Sequence, residues 1–231
     1  MFRMDENAID RARGYELLAG IFLKEPSPQV IQVLKAWTES GTTGELLELA
    51  GILNRIQTHD PELLCLTQEY YDLFFVPVSG RFLPPFESAI RGAERSKGKK
   101  IKYGSHWGSP AHQLSDLYER VGFNPGALNI FEPLKETKIP DHLGLELSFM
   151  AYLCRMENKA TNAGQEISGI RQLQQRVLEN HLLEWLPQFT AELLKLEVSR
   201  YYPYFAQLAL ELCQEEIRFF NEKFERSGIS G

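Results

Sequence analysis

The chain has 231 residues, 43% of them apolar, and a formal net charge of −6 at pH 7. This length supports one large domain or two small ones, with a core that needs no cross-links. The negative charge argues against nucleic acid as a partner, because binding phosphates requires a basic face. The three distant cysteines, Cys65, Cys154 and Cys213, match neither a disulfide framework nor a zinc motif. We interpret them as small core residues in a reducing compartment.

The N-terminal residues and the apolar windows predict where the protein resides. The first 18 residues carry acidic side chains and lack the apolar stretch of a secretory signal. No window approaches the run of about 18 apolar residues with which a helix crosses a bilayer. We therefore expect a cytoplasmic protein that is not integral to a membrane.

Apolar residues recur at helical spacing in the first 75 residues. The first helix is predicted to bury Ala8, Ala12, Tyr15, Ala19 and Phe22. Prolines within residues 24–28 should end it, and further helices are predicted near residues 29–39 and 44–58. Asp60 has the side chain of an N-cap, with Pro61 at the first helical position, so a fourth helix should begin there.

A long loop is predicted for residues 77–110, which are rich in glycine and proline and include a basic run at residues 91–102. We expect one helical turn within this loop. A helix near residues 109–121 should follow, and a second Gly/Pro-rich stretch covers residues 122–140. Beyond it, apolar stripes at helical spacing continue nearly to the C-terminus.

The predicted fold is all-α, because no stretch alternates with period two for long enough to build a sheet. We expect a single globular helical bundle of about eight to ten helices with two long Gly/Pro-rich loops. Residues 1–226 would form one domain with a hinge near residues 122–140, and residues 227–231 would form a flexible tail.

The motifs of common catalytic and metal sites do not occur in the sequence. There is no Glu-x-x-His pair of the di-iron bundles and no His-Glu-x-x-His zinc motif. Residues 92–100 have the wrong glycine spacing for a phosphate-binding loop, and no predicted strand precedes them. No serine or cysteine stands in a nucleophile motif. We therefore predict a protein that is not an enzyme, with no catalytic and no metal-binding residues.

Pro140, Asp141 and His142 stand where the second Gly/Pro-rich stretch becomes helical, and two interpretations remain open. In the first, Asp141 is the N-cap and His142 is the first helical residue, with Glu146 one turn further on the same side. In the second, an exposed carboxylate and imidazole receive a cationic or hydrogen-bonding group, and the planar fork of arginine would suit the carboxylate.

An aromatic helix end and the loop that follows it carry a similar ambiguity. Tyr70 and Phe74 would be either core residues or part of a ligand site. The apolar residues of the loop are Phe82, Leu83, Pro84, Pro85 and Phe86. Held on a stiff loop, they could line a groove for an amphipathic segment.

As a set, these segments resemble the TorD/DmsD-like redox-enzyme maturation chaperones, a family that includes the NarJ-related proteins. The residues that carry the resemblance are Arg13 and Tyr15 in the first helix, residues 70–75, Pro84, Pro85, Phe86 and Ser88 in the loop, Tyr118 with Gly122, and Asp141, His142, Glu146, Phe149 and Met150. There is one departure. The family's second motif usually reads Glu-Pro-x-Asp-His, whereas residues 138–142 read Lys-Ile-Pro-Asp-His.

The resemblance implies a cytoplasmic, all-helical chaperone without catalytic activity. Such proteins bind the twin-arginine signal peptide, or a body segment, of a molybdenum-cofactor oxidoreductase apoprotein and delay its export until the cofactor is inserted. The family's motifs map onto Pro84, Pro85, Phe86, Ser88, Asp141 and His142, and we add Tyr70, Phe74, Phe82 and Glu146 to the predicted peptide-binding set. No cofactor is implied, although weak guanine nucleotide binding remains open.

Two other functions remain open from the sequence. An assembly adaptor would bind a folded oxidoreductase subunit without recognising a signal peptide. A small-molecule or nucleotide enzyme would need a closed polar pocket, and no pattern in the sequence indicates one. We expect a monomer or, with the two long loops as hinges, a domain-swapped homodimer.

Overall fold

A computed structural model describes residues 7–39, 44–56, 61–96 and 100–228, apart from the side chains of residues 45, 46 and 223–228. Its α-helices are α1 (Ala8–Leu23), α2 (Pro28–Glu39), α3 (Gly44–Leu53), α4 (Pro61–Phe74), α5 (Glu87–Arg91), α6 (Ser109–Val121), α7 (Glu132–Thr137), α8 (Leu143–Asn162), α9 (Ser168–Val177), α10 (Leu183–Leu193) and α11 (Tyr201–Gly228). These described ranges contain no β-strand, only two isolated bridges. The prediction of an all-α fold is confirmed.

The helix boundaries in the first part of the chain follow the predicted signals with one exception. The stripe of α1 is buried along its whole length, and Asn7 caps the helix by accepting a hydrogen bond from Ile9 N. The third helix, α3, ends at Leu53 and not near residue 58, because Ile56 N bonds to the carbonyl oxygen of Leu53 and tightens the last turn. The predicted cap Asp60 lies outside the described residues.

The two Gly/Pro-rich stretches contain short helices. The first holds α5, the single helical turn expected there, while its residues 97–99 lie outside the described part of the chain. The second holds a 3₁₀ turn, Pro125–Ala127, and α7. Pro125 and Pro133 lie in the first turns of these elements. The backbone N–H of a first-turn residue has no partner within the helix, so proline loses no hydrogen bond there and favours helix initiation.

The core forms where α1 packs along α8 and where α10 and α11 pack against each other. Its largest fully buried side chains are Trp185, Tyr15, Tyr70, Tyr201, Tyr202, Phe22, Phe149, Phe189, Phe205 and Phe220. No helix within the described ranges is both long enough and apolar enough to cross a bilayer.

The cysteines are only partly core residues. Cys154 and Cys213 are buried as predicted, but Cys65 is exposed, so the prediction was wrong for this residue. The helix α4 buries Leu66, Tyr70 and Leu73, which share one face at helical spacing. Cys65 lies one residue before that stripe and therefore faces away from the core.

The helix α9 runs without a loop into α10 through a π-helical turn, Leu178–Leu182. Such π-helical turns are rare in proteins, and those that occur are often found at functional sites. The turn carries His181, which is buried. It thereby places a titratable side chain in the interior, on the helical stripe that the spacing of Ile170, Leu173, Val177 and His181 predicts.

Candidate functional site

The segment that begins α5 and the segment that begins α8 lie side by side. Glu87 N donates a hydrogen bond to the carbonyl oxygen of Asp141 at 2.9 Å. An antiparallel bridge joins Phe86 to His142, and the centroids of their rings are 5.1 Å apart. The two motifs found in the sequence are therefore one structural unit, although more than fifty residues separate them.

The side chain of Asp141 caps α5 and not α8. Its Oδ2 accepts a hydrogen bond from Ser88 N at 2.7 Å, which is a first-turn amide of α5 without a helical partner. The cap of α8 is His142, whose Nδ1 accepts a hydrogen bond from Gly144 N at 3.1 Å. The prediction that Asp141 is the N-cap and His142 the first helical residue is wrong, because the bridge between the motifs turns Asp141 towards α5.

The polar groups at this junction are buried. Ser88, Asp141, His142 and Glu146, which we call the buried polar cluster, expose no more than 5% of their surface. The expectation of a carboxylate and an imidazole exposed at a helix start is therefore wrong, since the segment around α5 covers the start of α8. A ligand reaches these groups only if a covering segment moves.

Burial shifts the pKa of each titratable group in the cluster. Desolvation raises the pKa of Asp141 to about 6, against the opposing hydrogen bond from Ser88 N. Desolvation, with the neighbouring Glu87 and Asp141, raises the pKa of Glu146 well above its usual range. Burial lowers the pKa of His142 to about 3, so its imidazole is neutral at physiological pH. None of the four cluster residues is therefore a cation at physiological pH, and the nearby Arg91 only partly offsets the raised pKa of Glu146.

Four polar atoms of the cluster have no hydrogen-bond partner within the described residues. They are Ser88 Oγ, Asp141 Oδ1, His142 Nε2 and Glu146 Oε1. A buried polar atom without a partner costs about 1–3 kcal/mol, and such atoms in native proteins are usually satisfied by water or a ligand. A ligand with several N–H donors would satisfy more than one of these atoms.

Further charged and polar groups extend from the cluster towards α10. Glu87 is fully buried and contacts Arg91 through Oε1 at 2.6 Å and His181 Nδ1 through Oε2 at 2.8 Å. Trp185 Nε1 donates a longer hydrogen bond, 3.4 Å, to Glu146. The sequence analysis missed Glu87, His181 and Trp185, and the one available signal was a histidine within the apolar stripe of a helix.

The remaining predicted peptide-binding residues lie in different surroundings. Tyr70 and Phe74 are core residues, with the Tyr70 hydroxyl donating to the carbonyl oxygen of Phe22 at 3.2 Å. Phe82 is half-buried against the ring of Tyr103. The pair Pro84 and Pro85 and the adjoining Phe86 are buried. Among the predicted residues, the structure brings together Pro85, Phe86, Ser88, Asp141, His142 and Glu146.

Two surface clefts lie beside the joined motifs. A cleft of about 480 Å³ lies between α6, α7 and the start of α8, and its lining includes Tyr118, Leu134, Pro140 and Leu145. A second cleft, of about 440 Å³, lies between the segment after α4 and α10. We call the first the Pro140 cleft. It adjoins the buried polar cluster, because Pro140 and Leu145 immediately precede members of that cluster in the chain.

Replacing His142 by asparagine should reduce the loss of stability in acid. The unfolded chain protonates this histidine below about pH 6.5, whereas the folded protein holds it neutral down to about pH 3. The free energy of unfolding therefore falls as the pH drops through that window. Asp141 acts in the opposite direction, since its raised pKa favours the folded protein as the pH falls below about 6.

Urea unfolding at pH 7, 5 and 4 measures this effect. Asparagine can also cap α8, so we expect His142→Asn to cost about 1 kcal/mol at pH 7 and progressively less at lower pH. The control is His112→Asn, which makes the same change of side chain at an exposed position of α6. If the difference in unfolding free energy between His142→Asn and the wild type changes with pH no more than it does for His112→Asn, residue 142 is not a buried neutral imidazole.

The fold and the site define an all-helical protein with a buried polar cluster beside a surface cleft. The Pro140 cleft adjoins the buried polar cluster, in which Asp141 Oδ1 and Glu146 Oε1 lack hydrogen-bond partners within the described residues. Within the described ranges, no group of three or more His, Cys, Asp or Glu residues is arranged to hold a metal ion.

The chain belongs to the nitrate reductase delta subunit family, whose model matches residues 38–191. It is 28% identical over 227 residues to the chaperone protein TorD of Vibrio cholerae serotype O1 strain El Tor Inaba N16961, with 94% of each chain covered. The predicted resemblance to this chaperone family is confirmed. No solved structure matches the chain significantly.

Two relatives match a shorter region. The selenate reductase assembly chaperone protein of Thauera selenatis is 38% identical over 58 residues, which cover 25% of this chain and 30% of the relative. The chlorate reductase assembly chaperone protein of Ideonella dechloratans is 36% identical over 64 residues, 28% of this chain and 33% of the relative. The relatives are named as chaperones and not as enzymes, and the prediction that this family member is not an enzyme is confirmed on that ground.

Proposed function

We propose that this chain is a chaperone in the assembly of a molybdenum-cofactor oxidoreductase. In the cytoplasm it binds the twin-arginine signal peptide, or a body segment, of the apoprotein and delays export until the cofactor is inserted. Relatives named as reductase assembly chaperones support this proposal. The observation that carries it is the buried polar cluster, in which four polar atoms lack partners.

A guanidinium group has the chemistry that this cluster lacks. It carries five N–H donors in a planar fork and retains its charge when buried. Two of the unpartnered atoms are oxygens of the Asp141 and Glu146 carboxyl groups, and paired hydrogen bonds from arginine to a carboxylate are among the strongest in proteins. A bound cation would also stabilise the ionised form of Asp141, whose pKa is raised in the free protein.

The Pro140 cleft suits the apolar stretch of a signal peptide. Tyr118, Leu134 and Leu145 give it an apolar lining, and the Tyr118 hydroxyl holds the wall in place by donating to the carbonyl oxygen of Pro140 at 2.9 Å. An extended or helical apolar segment can bind in such a groove. In a signal peptide (leader), the arginine pair precedes the apolar stretch. Because the Pro140 cleft adjoins the buried polar cluster, one leader can place its arginines at the cluster and its apolar stretch in the cleft.

The alternative is an adaptor that binds a folded subunit and no leader. Lys135 and Lys138 lie on the rim of the Pro140 cleft, and their charge opposes the close approach of an arginine pair from that side. An adaptor would bind its client equally well after the leader is removed. Binding measurements with full-length and leaderless apoprotein therefore separate the two functions.

Calorimetric titration with twin-arginine leader peptides tests the proposal. We expect a dissociation constant on the order of micromolar, about −8 kcal/mol, because a transient escort must release its client. Replacing both leader arginines by glutamine should weaken binding. A higher salt concentration should weaken binding less than this substitution does, because buried ion pairs are poorly screened. If no leader binds while leaderless apoprotein does, the adaptor function replaces the chaperone function.

The variant Asp141→Asn should lose affinity for the leader without losing stability. Asparagine keeps an oxygen that can accept from Ser88 N, but it cannot pair with a cation, so we expect a loss of roughly 1.5–3 kcal/mol, or about 10- to 100-fold. The control is Asp116→Asn on α6, an exposed residue with the same change of charge. Equal weakening by both variants would indicate a general effect of net charge and remove Asp141 from the site.

A further inference from the structure

A short segment between the basic run and α6 seals the outer side of the buried polar cluster. The segment comprises residues 104–108, Gly-Ser-His-Trp-Gly, and we call it the cover segment. Gly108 lies so close to Ser88 that a Cβ on it would be 3.0 Å from both Ser88 Cβ and Ser88 Oγ. The ring of His106 packs edge-on against Phe86, with 4.8 Å between the centroids.

The attachment of the cover segment to α5 is light. Within the described part of the chain, one hydrogen bond joins them, from Gly104 N to the carbonyl oxygen of Ala89 at 2.9 Å. Trp107 leaves half of its surface exposed, and its backbone N–H donates a hydrogen bond within the segment, to Ser105 Oγ. Local opening takes little free energy where hydrogen bonds and buried apolar contacts are few.

Glycines stand at both ends of the cover segment. Gly104 packs against the backbone of Gly92 at a distance that no side chain could share, since a Cβ would lie 2.9 Å from the Gly92 Cα. Gly108 makes the equally close approach to Ser88 described above. Small residues at the ends of a moving loop can absorb the change of backbone angles, so the segment can move while α5 and α6 stay in place.

We propose that residues 104–108 are a movable cover over the buried polar cluster, which opens to admit a cationic side chain of the client to Ser88 and Asp141. This inference rests on the proposed function and adds how access to that site is controlled. The unpartnered Ser88 Oγ lies directly beneath the cover, and Asp141, which caps α5 through Ser88 N, lies behind it. Closed, the cover keeps the site from solvent until a client displaces it.

Hydrogen exchange followed by mass spectrometry, with and without a leader peptide at saturation, tests the cover. Bound ligands usually slow exchange, so an accelerated segment is diagnostic. We expect amides of residues 104–108 to exchange on the order of tenfold faster in the complex, since opening breaks the bond of Gly104 N, while the starts of α5 and α8 exchange more slowly. Exchange in residues 104–108 that slows or stays constant in a saturated complex overturns the proposal.

The free protein provides a test that needs no client. The variant Gly108→Ala should push the segment off Ser88 and accelerate exchange in residues 104–108 alone, and His106→Ala should do so by removing the ring on Phe86. The control is Gly169→Ala in α9, where a Cβ meets nothing within 4 Å. If hydrogen exchange in α5 and α8 accelerates as much as in residues 104–108, the segment opens together with the core, and the proposal of a movable cover is wrong.

The two experiments separate the failure of the cover from the failure of the proposed function. If neither a leader peptide nor the apoprotein produces heat in the titration, the proposed function fails, and the Gly108→Ala exchange pattern still decides whether the segment moves independently. If a leader binds without accelerating hydrogen exchange in residues 104–108, the proposed chaperone function is retained and the proposal of a movable cover is wrong.

Discussion

Replacing Arg11 by methionine is expected to lower the free energy of unfolding by about 3–5 kcal/mol, because it leaves the buried Glu216 without its cation and removes one of the two arginines that pair with the buried Glu157. Arg11 exposes only 3% of its surface. Its guanidinium contacts Glu157 of α8 and, at 2.5 Å, Glu216 of α11, and it donates to Gln174 of α9 at 3.2 Å. One side chain of α1 thus holds three other helices through charge and hydrogen bonds.

The matched control is Arg13→Met, two residues further along the same helix. Arg13 pairs with Asp10 at 3.0 Å, and its side chain is 70% exposed. Exposed pairs of this kind contribute about 0–1 kcal/mol, so this variant should unfold at nearly the wild-type urea concentration. Similar losses for Arg11→Met and Arg13→Met would show that the buried network contributes no more than a surface pair.

The pH dependence of Arg11→Met gives a second readout. Arg11 and Arg171 hold the pKa of Glu157 below its usual value despite burial, while desolvation raises the pKa of Glu216. Without Arg11, the pKa of both carboxyls should rise, and protonation then relieves the folded protein as the pH falls. The difference in stability between variant and wild type should therefore shrink from pH 7 to pH 5, whereas a packing defect would leave it constant.

The sequence predicts the helices of this fold well, because apolar spacing reflects the face that each helix buries. The stripe of α1 is buried as predicted. What spacing cannot show is which charged residue between the apolar ones turns inwards. The family resemblance pointed to Arg13, which is exposed, whereas Arg11 meets carboxylates from helices about 150 and 200 residues further along the chain.

The candidate site was only partly predictable for a similar reason. Local signals placed Asp141 and His142 at the start of a helix, which is correct within one residue. They assigned the wrong cap, since capping rules consider only the residue's own helix, and Asp141 bonds to the first turn of α5. Glu87 and His181 meet through a π-helical turn, and no spacing rule foresees that contact.

Close packing at the start of α8 sets the position of the site against α1. Gly144, the second residue of α8, lies against α1 with no room for a side chain. A Cβ at this position would overlap Leu23 Cγ and would lie 2.9 Å from Leu23 Cδ2 and 3.1 Å from the carbonyl oxygen of Ala19. The same residue donates its N–H to the cap His142, so packing and site geometry depend on one glycine.

Gly144→Ala is accordingly expected to destabilise the protein by about 3 kcal/mol, at the upper end of overpacking costs, because the Ala19 carbonyl belongs to a helix backbone and cannot move aside. The control is Gly20→Ala on α1, where a Cβ meets nothing within 4 Å and alanine should stabilise the helix by roughly 0.5–1 kcal/mol. Urea unfolding of both variants measures the difference. If Gly144→Ala also gains stability, as helix propensity alone predicts, then α8 does not depend on this contact, and the junction of the two motifs is set from the α5 side.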